Sequence, residues 1–361
     1  NDGTLGDIRW AEGKEGEAIE EVTRAVIQEP GYEYGWNQLR YWTAQAGKPE
    51  VLLELHRDLT QRRPKEPRSW RLLAESLVDD PDHTEECMAA LDRCLEINPR
   101  DVESHSTKAY VLAGAGQFDE ALAACRPAIF GDQPPIELRG RAAEVLARRG
   151  DLEHARAAMR KVVKDDPNYI WAWRQLTSWF LEMGRFDDYF QAADEFVRLA
   201  PRQSLAYGYR ADAHRLLERR DDAKRDYIKA FELDPAYTYT ALSLIDFHLE
   251  DQDVVAAENV LQSATDIPPD YHLGNQIRID VARRNLSQAT RHLRDLCMTP
   301  MLDEEPLRMA AGDMWDANYA EEFCSVLTDF WSEEQASPHV ATVWVNAMSL
   351  LERLPTVDRA L

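Results

Sequence analysis

The stretch Pro167–Pro201, which reads PNYIWAWRQLTSWFLEMGRFDDYFQAADEFVRLAP, predicts two helices joined by a tight turn. Trp173, Leu176 and Phe180 recur at the spacing that the apolar face of a helix requires. Gly184 interrupts this pattern, and a second apolar stripe follows until the closing proline. Because the same unit returns along most of the chain, its repetition decides the fold.

Prolines and glycines mark the period of this repeat. Eight prolines lie 33 to 35 residues apart, and each can close a hairpin because proline cannot continue a helix. They are Pro30, Pro64, Pro99, Pro134, Pro167, Pro201, Pro235 and Pro268. Five glycines, each 17 or 18 residues before one of these prolines, would form the turn inside a hairpin. They are Gly13, Gly47, Gly116, Gly150 and Gly184.

Large and small side chains recur with the same period. Large residues on the first helix (helix A) would pack over alanines on the second (helix B), as stacked hairpins require. The large residues, six positions after a proline, are Trp36, Trp70, His105, Trp173 and Tyr207. The alanines on helix B are Ala18, Ala121, Ala155, Ala223 and Ala256.

Three units carry a W-x2-L motif, at Trp36, Trp70 and Trp173, and residues 116–122 read GQFDEAL. These motifs resemble the tetratricopeptide repeat family, whose unit of about 34 residues carries W-x2-L, a turn glycine, alanines and a proline. The resemblance implies an all-α fold. It would be a right-handed superhelical α-solenoid of stacked antiparallel helical hairpins, with about nine to ten repeats.

Residues 30–39 and 167–176 are also similar to the P-x-N-Y-x-x-W repeat of protein prenyltransferase α-subunits. The two segments align at an offset of 137 residues, which equals four repeats and indicates an internal duplication. The resemblance implies no catalytic residue, because the zinc site of that family belongs to a separate β-subunit. We interpret the aromatic residues first as stacking residues, with a ligand-binding role as the alternative.

The regularity of the repeat divides the chain into three parts. Residues 1–32 form a partial N-terminal repeat, and residues 33–270 form the regular repeats. Residues 271–361 would be divergent helical repeats that end in a half repeat. An acidic C-terminal end could serve as the polar cap that a solenoid needs.

Composition limits the partners. The formal charge is -23, with 65 acidic and 42 basic residues, which argues against nucleic acid because phosphate binding needs lysine and arginine. No apolar run is long enough for a membrane span, so we predict no membrane insertion. The acidic charge would favour basic partners, or it only keeps a long solenoid soluble.

The five cysteines form no C-x-x-C pair, which favours a reducing compartment and a cytoplasmic location. Cys87 and Cys94 lie on one predicted helical face, where we expect buried thiols rather than a redox pair.

Catalytic motifs are missing from the sequence: there is no phosphate-binding loop, nucleophile elbow, H-E-x-x-H helix or EF-hand loop. His214 and His248 occupy equivalent positions of adjacent repeats and could approach each other, but a metal site needs more ligands. We therefore predict that the chain is not an enzyme and has no catalytic, cofactor-binding or metal-binding residues.

The A helices of such a solenoid line its inner, concave surface. Aromatic, amide and arginine side chains on this surface are typical of a peptide groove. The expected partner-binding residues are Tyr34, Asn37, Tyr41, Arg68, Arg71, Tyr110, Trp171, Arg174, Ser178 and Tyr239. The alternative is that Tyr34 and Trp171 only cover the gaps between neighbouring repeats.

Together these patterns predict a non-catalytic scaffold that binds a peptide or protein partner on the concave face. The alternative is a regulatory or substrate-presenting domain of a larger enzyme. The absence of an initiator methionine and the incomplete first repeat motivate that alternative.

Overall fold

The computed structural model describes residues 2–29, 31–301, 303–332 and 337–350. Within these ranges the chain forms 21 α-helices and two 3-10 turns, and no strand. The helices are α1 (Asp2–Ala11), α2 (Glu15–Gln28), α3 (Glu33–Gln45), α4 (Pro49–Arg62), α5 (Pro67–Leu77), α6 (Thr84–Ile97), α7 (Val102–Gly114), α8 (Phe118–Ala124), α9 (Ile136–Arg148), α10 (Leu152–Asp165), α11 (Ile170–Glu182), α12 (Phe186–Leu199), α13 (Ser204–Leu216), α14 (Arg220–Leu233), α15 (Thr238–Glu250), α16 (Val254–Ser263), α17 (Pro269–Ala282), α18 (Leu286–Met298), α19 (Glu305–Asp316), α20 (Ala320–Ser332) and α21 (Pro338–Leu350). The 3-10 turns are Pro81–His83 and Ala128–Phe130.

These helices form ten consecutive hairpins, from α1/α2 to α19/α20, and α21 follows as a single helix in the described part of the chain. Each odd-numbered helix up to α19 is a helix A, and within each unit neighbouring helices pack against one another, for example α1 against α2, α9 against α10 and α13 against α14. The predicted all-α fold of stacked hairpins is confirmed. The divisions near residues 32 and 270 remain predictions, and residues 351–361 lie outside the described ranges.

The chain separates into two compact units, residues 1–179 and 180–361, and the division falls within α11. At the N-terminal end of the first unit, Trp36, Leu39 and Trp42 of α3 form one buried cluster with side chains of α2 and α4. In the second unit, Tyr227 and Leu244 belong to one buried cluster, and a larger cluster extends from α17 to α21.

One backbone motif ends helix A in nine of the ten hairpins. In the turn after α11, the N–H of Gly184 donates to the carbonyl of Leu181 (3.0 Å), and the N–H of Arg185 donates to that of Phe180 (2.8 Å). This pair of bonds is a Schellman motif, and it requires a left-handed residue after the helix. All five predicted turn glycines have a positive φ, between 64° and 89°. The predicted position and role of these glycines are therefore confirmed.

Four hairpins of the second unit form the same turn without glycine. The left-handed position there is occupied by Glu218, Gln252, Arg284 and Asn318, with φ between 57° and 64°. The hydrogen bonds are equivalent, since the N–H of Gln252 donates to Leu249 and that of Asp253 donates to His248. The turn geometry is thus kept although the residue type changes.

The prolines of the series lie between hairpins, as predicted, wherever the structure describes them; Pro30 lies outside the described residues. The large residue six positions later has two different roles. Trp36 is fully buried in the core, as expected. Trp70 and Trp173 are only half-buried, and each donates its indole N–H to the carbonyl of its own proline, at 3.0 and 2.9 Å. The six-residue spacing therefore reflects a hydrogen bond across the turn as well as core packing.

Helix α8 is shorter than every other helix B in the described chain. It has seven residues, whereas the others have 10 to 14. Pro127 follows it closely and prevents its continuation, because proline has no N–H to donate. The chain continues through the 3-10 turn Ala128–Phe130 and an irregular segment to α9.

The five cysteines are free thiols and are buried, which confirms the expectation for Cys87 and Cys94. Burial raises the pKa of the Cys87 thiol to about 11. Within the described ranges, no helix has the length and apolar character that crossing a membrane requires.

Candidate partner-binding surface

Four successive A helices of the first unit, α5, α7, α9 and α11, border a cleft of about 460 Å³, together with Tyr169 from the turn before α11. We call it the first cleft. Its lining residues are Glu75, Val102, Glu103, Ser106, Thr107, Glu137, Arg141, Tyr169 and Trp171. The cleft therefore combines aromatic rings, a hydroxyl pair, one guanidinium and three carboxylates.

Trp171, a predicted partner-binding residue, lines this cleft and is half-buried. Its ring lies against Gly140 of the preceding repeat, where a Cβ would come within 2.9 Å of Trp171 Cζ3. The Tyr169 ring lies 5.7 Å away, and the Arg141 guanidinium stacks over the indole at 5.6 Å. The indole thus covers the gap to the preceding repeat and also presents a surface to the cleft, so both roles considered for Trp171 are compatible with its position.

Arg141 is the central polar residue of the first cleft. Its Nε donates to Ser106 Oγ at 2.9 Å, and its guanidinium forms an ion pair with Glu144. The same guanidinium lies 5.3 Å from the centre of the Tyr110 ring. Arg141 therefore connects Tyr110, another predicted residue, with the cleft.

Sequence reasoning missed Arg141 although a signal was present. The count of positions that selected Arg71 and Arg174 also selects Arg141 and Arg148 in the repeat after Pro134. In that repeat Gly140 stands at the position where other repeats carry a large side chain. In the structure Arg148 stacks over the Tyr110 ring at 4.2 Å.

Two predicted arginines of α5 are engaged in ion pairs between neighbouring repeats. Arg68 pairs with Glu33 at 2.5 Å, and Arg71 pairs with Glu103 of the first cleft. Arg71 also lies 3.8 Å from Glu75. Arg71, Tyr110 and Trp171 are thus the predicted residues that the structure brings together around the first cleft.

The other predicted residues of the first unit lie on α3 and α11. Tyr34, Asn37 and Tyr41 are exposed on α3. The Tyr34 hydroxyl donates to Asp7 of α1 at 3.0 Å, which links two A helices, and Asn37 Oδ1 accepts from Arg40 within its own helix. Arg174 and Ser178 are exposed on α11, one and two turns beyond Trp171, and neither lines the first cleft.

Tyr239 belongs to the second unit, where it lines a different cleft of about 610 Å³ with Arg215, Asp246 and others. Its hydroxyl donates to Asp212 at 2.6 Å, and the Tyr227 hydroxyl donates to the same carboxylate at 2.5 Å. Burial raises the pKa of Asp212, and the two hydroxyls lower it by a smaller amount. This tyrosine is thus engaged within its own unit.

The two histidines considered for a metal site contact separate carboxylates. His214 Nε2 lies 3.7 Å from Asp226, and His248 Nδ1 lies 4.0 Å from Asp253. In the part of the chain that the structure describes, no three His, Cys, Asp or Glu side chains are grouped as metal ligands.

Family models described as tetratricopeptide repeat match residues 106–170 and 206–237. A search of curated proteins found no match. Similar solved structures include residues 41 to the end of MamA from Desulfovibrio magneticus RS-1, with 20% identity and a TM-score of 0.39, covering 45% of this chain and 92% of that chain. TTC0263, a tetratricopeptide repeat protein of Thermus thermophilus, has 24% identity and a TM-score of 0.38, covering 50% and 98%.

The human IFIT1 dimer, solved with m7Gppp-AAAA, has 13% identity and a TM-score of 0.48, and the match covers 99% of this chain and 88% of that chain. The likeness to protein prenyltransferase repeats stays a prediction. The matched segments 106–170 and 206–237 lie one in each unit and carry the hairpins described above. This chain therefore contains tetratricopeptide repeats at residues 106–170 and 206–237.

Proposed function

We propose that the chain is a non-catalytic scaffold whose first unit binds an extended peptide segment of a protein partner in the first cleft. Stacked helical repeats present extended binding surfaces, which supports an interaction scaffold in general. The observation that carries the finer proposal is that four successive A helices border one cleft containing Trp171, Arg141 and Ser106.

The side chains of the first cleft suit a peptide. Trp171 offers an aromatic surface that is already held in place by Gly140 and Arg141, so binding would order few side chains. Ser106 and Thr107 can exchange hydrogen bonds with a peptide backbone. The cleft therefore provides both an anchor and backbone recognition.

The charges of the first cleft favour a peptide with a basic residue. Glu75, Glu103 and Glu137 come from three successive A helices, and the cleft has one guanidinium, from Arg141. Arg71 neutralises part of this charge from outside the lining. A lysine or arginine of the partner would meet a complementary field, and a phosphate backbone would be repelled.

A peptide selection tests this proposal. Peptides would be selected against the full chain from a random phage-displayed library, and the dissociation constant of the best peptide would be measured by fluorescence anisotropy. We expect Trp171→Ala combined with Arg141→Ala to weaken binding about tenfold or more, because both residues line the first cleft and the central aromatic anchor is lost.

The matched control removes an aromatic residue and an arginine from a helix B. Phe186→Ala combined with Arg198→Ala changes exposed residues of α12 and should leave the affinity unchanged. Circular dichroism would show that both double variants keep their helicity. Equal affinity of the Trp171/Arg141 variant and the original chain would refute the site.

Nucleic acid is the partner class to exclude by measurement. The IFIT1 structure contains m7Gppp-AAAA, so a fluorescent m7Gppp-AAAA is a suitable probe. We expect no saturable binding at physiological salt, because the chain is acidic and the first cleft presents three carboxylates. Saturable binding would contradict the exclusion of nucleic acid.

Two predictions stay open beside this proposal. A regulatory or substrate-presenting role within a larger enzyme would use the same cleft, and the complete reading frame would decide it. The cytoplasmic location also stays a prediction, which fractionation of the native host would test.

A further inference from the structure

A second cleft of the first unit has the opposite charge. It encloses about 490 Å³ between the end of α8, the segment that follows it, α9 and α10. Arg126, Arg139 and Lys161 line it, and Asp132 is the one acidic residue of its lining. We call it the cationic cleft. Three basic side chains meet here in a protein with 65 acidic and 42 basic residues.

The short helix α8 accounts for this opening. A helix B of ordinary length would continue beyond Ala124, but Pro127 prevents it. The chain instead turns at Gly131, whose φ of 64° and ψ of -146° are accessible to glycine and strained for other residues. The shortened helix therefore leaves an open space beside α9 and α10.

The basic groups of the cationic cleft are not fully used within the chain. Among the described residues, neither Arg126 nor Lys161 forms an ion pair, and both are exposed. One terminal N–H of the Arg139 guanidinium donates a hydrogen bond to Asp165 Oδ2 at 2.5 Å. The Nε of the same guanidinium is buried and has no hydrogen-bond partner in the described chain. Unused donors of this kind favour an anionic ligand, since a buried donor without a partner is costly.

The cationic cleft is separate from the first cleft. Helix α9 contributes to both, with Arg139 in the cationic cleft and Arg141 in the first. Two residues are about 200° apart around a helix, so these side chains leave α9 on opposite sides. Binding in one cleft therefore does not require the residues that line the other.

We propose that the cationic cleft binds a phosphate monoester with a small apolar body. A phosphate monoester carries about two negative charges at neutral pH, which matches the two cations without an ion pair among the described residues, Arg126 and Lys161, better than the single charge of a carboxylate ligand would. The wall formed by Ala142, Leu146 and Val162 is apolar and would contact the body of the ligand. Arginine suits the phosphate because its planar guanidinium donates two parallel hydrogen bonds.

Calorimetric titration of the full chain with phenyl phosphate tests this inference, with inorganic phosphate and benzoate as comparison ligands. We expect saturable binding of phenyl phosphate, tighter than that of inorganic phosphate because of the apolar wall, and tighter than that of benzoate because of the second charge. No saturable binding of phenyl phosphate, or equal binding of benzoate, would overturn the proposal.

Two variants locate the site. Arg126→Gln combined with Lys161→Gln should weaken phenyl phosphate binding about tenfold or more, since each lost charge-assisted hydrogen bond costs about that factor. Arg202→Gln is the matched control, because Arg202 is an exposed arginine of the second unit and forms no ion pair among the described residues. Undiminished binding by the double variant would overturn the assignment, and Lys161→Gln alone serves if the double variant does not fold.

The source of the phosphate is resolved by a short phosphotyrosine peptide, which carries the phenyl phosphate group within a polypeptide. Binding tighter than that of phenyl phosphate would assign a phosphorylated protein as the source, and weaker binding would assign a small organic phosphate. Both outcomes support the proposed chemistry of the cationic cleft.

Discussion

Replacing Gln252 by glycine should stabilise the chain, although no contact is added. Gln252 has a φ of 60° in the turn between α15 and α16, a left-handed conformation that suits glycine. The turn has the same Schellman hydrogen bonds as the turn at Gly184, where φ is 66°. The exposed side chain of Gln252 has no hydrogen bond in the described structure, so replacing it by glycine removes none.

The magnitude follows from two opposing terms. A non-glycine residue in the left-handed region costs about 1–2 kcal/mol. Glycine loses about 0.4–1 kcal/mol more conformational entropy on folding than alanine does. The difference predicts a gain of about 0.5–1 kcal/mol for Gln252→Gly. The reverse change, Gly184→Ala, should cost about the same amount, since a Cβ at Gly184 meets no atom within 4 Å and only the backbone term remains.

Urea denaturation followed by circular dichroism at 222 nm measures both changes. Asn318→Gly is the control, because Asn318 has a φ of 64° and asparagine tolerates this region better than glutamine, so its gain should be close to zero. Gln252 and Gly184 belong to the same unit, so both variants report on the same unfolding transition. A lower stability of Gln252→Gly, or an unchanged stability of Gly184→Ala, would refute the conformational explanation.

Single side chains give three further predictions. Trp173→Phe should lower the unfolding free energy, measured by chemical denaturation, by about 0.5–1.5 kcal/mol, because it removes the 2.9 Å hydrogen bond to the Pro167 carbonyl. A change below about 0.2 kcal/mol would show that this hydrogen bond does not contribute to stability. Burial lowers the pKa of His56 to about 4, so the unfolded chain binds a proton at higher pH than the folded chain does. The unfolding free energy should therefore be highest above pH 6.5 and fall by about 3 kcal/mol as the pH drops to 4. An NMR titration of the His56 ring with a midpoint near 6.5 would contradict this. Burial raises the pKa of the Cys87 thiol to about 11 and that of the Cys125 thiol to about 12. Both thiols should therefore react with Ellman's reagent at about pH 8 only after denaturant is added. Rapid labelling of the folded chain would disprove their protection.

Helical position alone predicted one residue that lines the first cleft, Trp171. Two other predicted residues of helix A contact its lining: Arg71 forms an ion pair with Glu103, and the Tyr110 ring lies under the Arg141 guanidinium. The pairing of these residues could not be predicted, because it depends on the offset between adjacent hairpins.

The cationic cleft lay beyond sequence reasoning for a different reason. Pro127 and Gly131 are visible in the sequence as helix breakers, but they do not show that Arg126 and Lys161 line one cleft beside the shortened helix. An opening of this kind exists only when the helices of the next hairpin are placed beside it.

The sequence by itself determined the period, the helical state and the turns of this protein. These are local properties: a proline lacks an N–H, a left-handed turn favours glycine, and an apolar stripe fits one face of a helix. Only the tertiary structure decided that Arg141 stacks on Trp171, that Gly140 makes room for the indole, and that two clefts of opposite charge share helix α9. Such contacts join residues about one repeat apart, and the angle and distance between packed helices, which no local pattern encodes, set which of them meet.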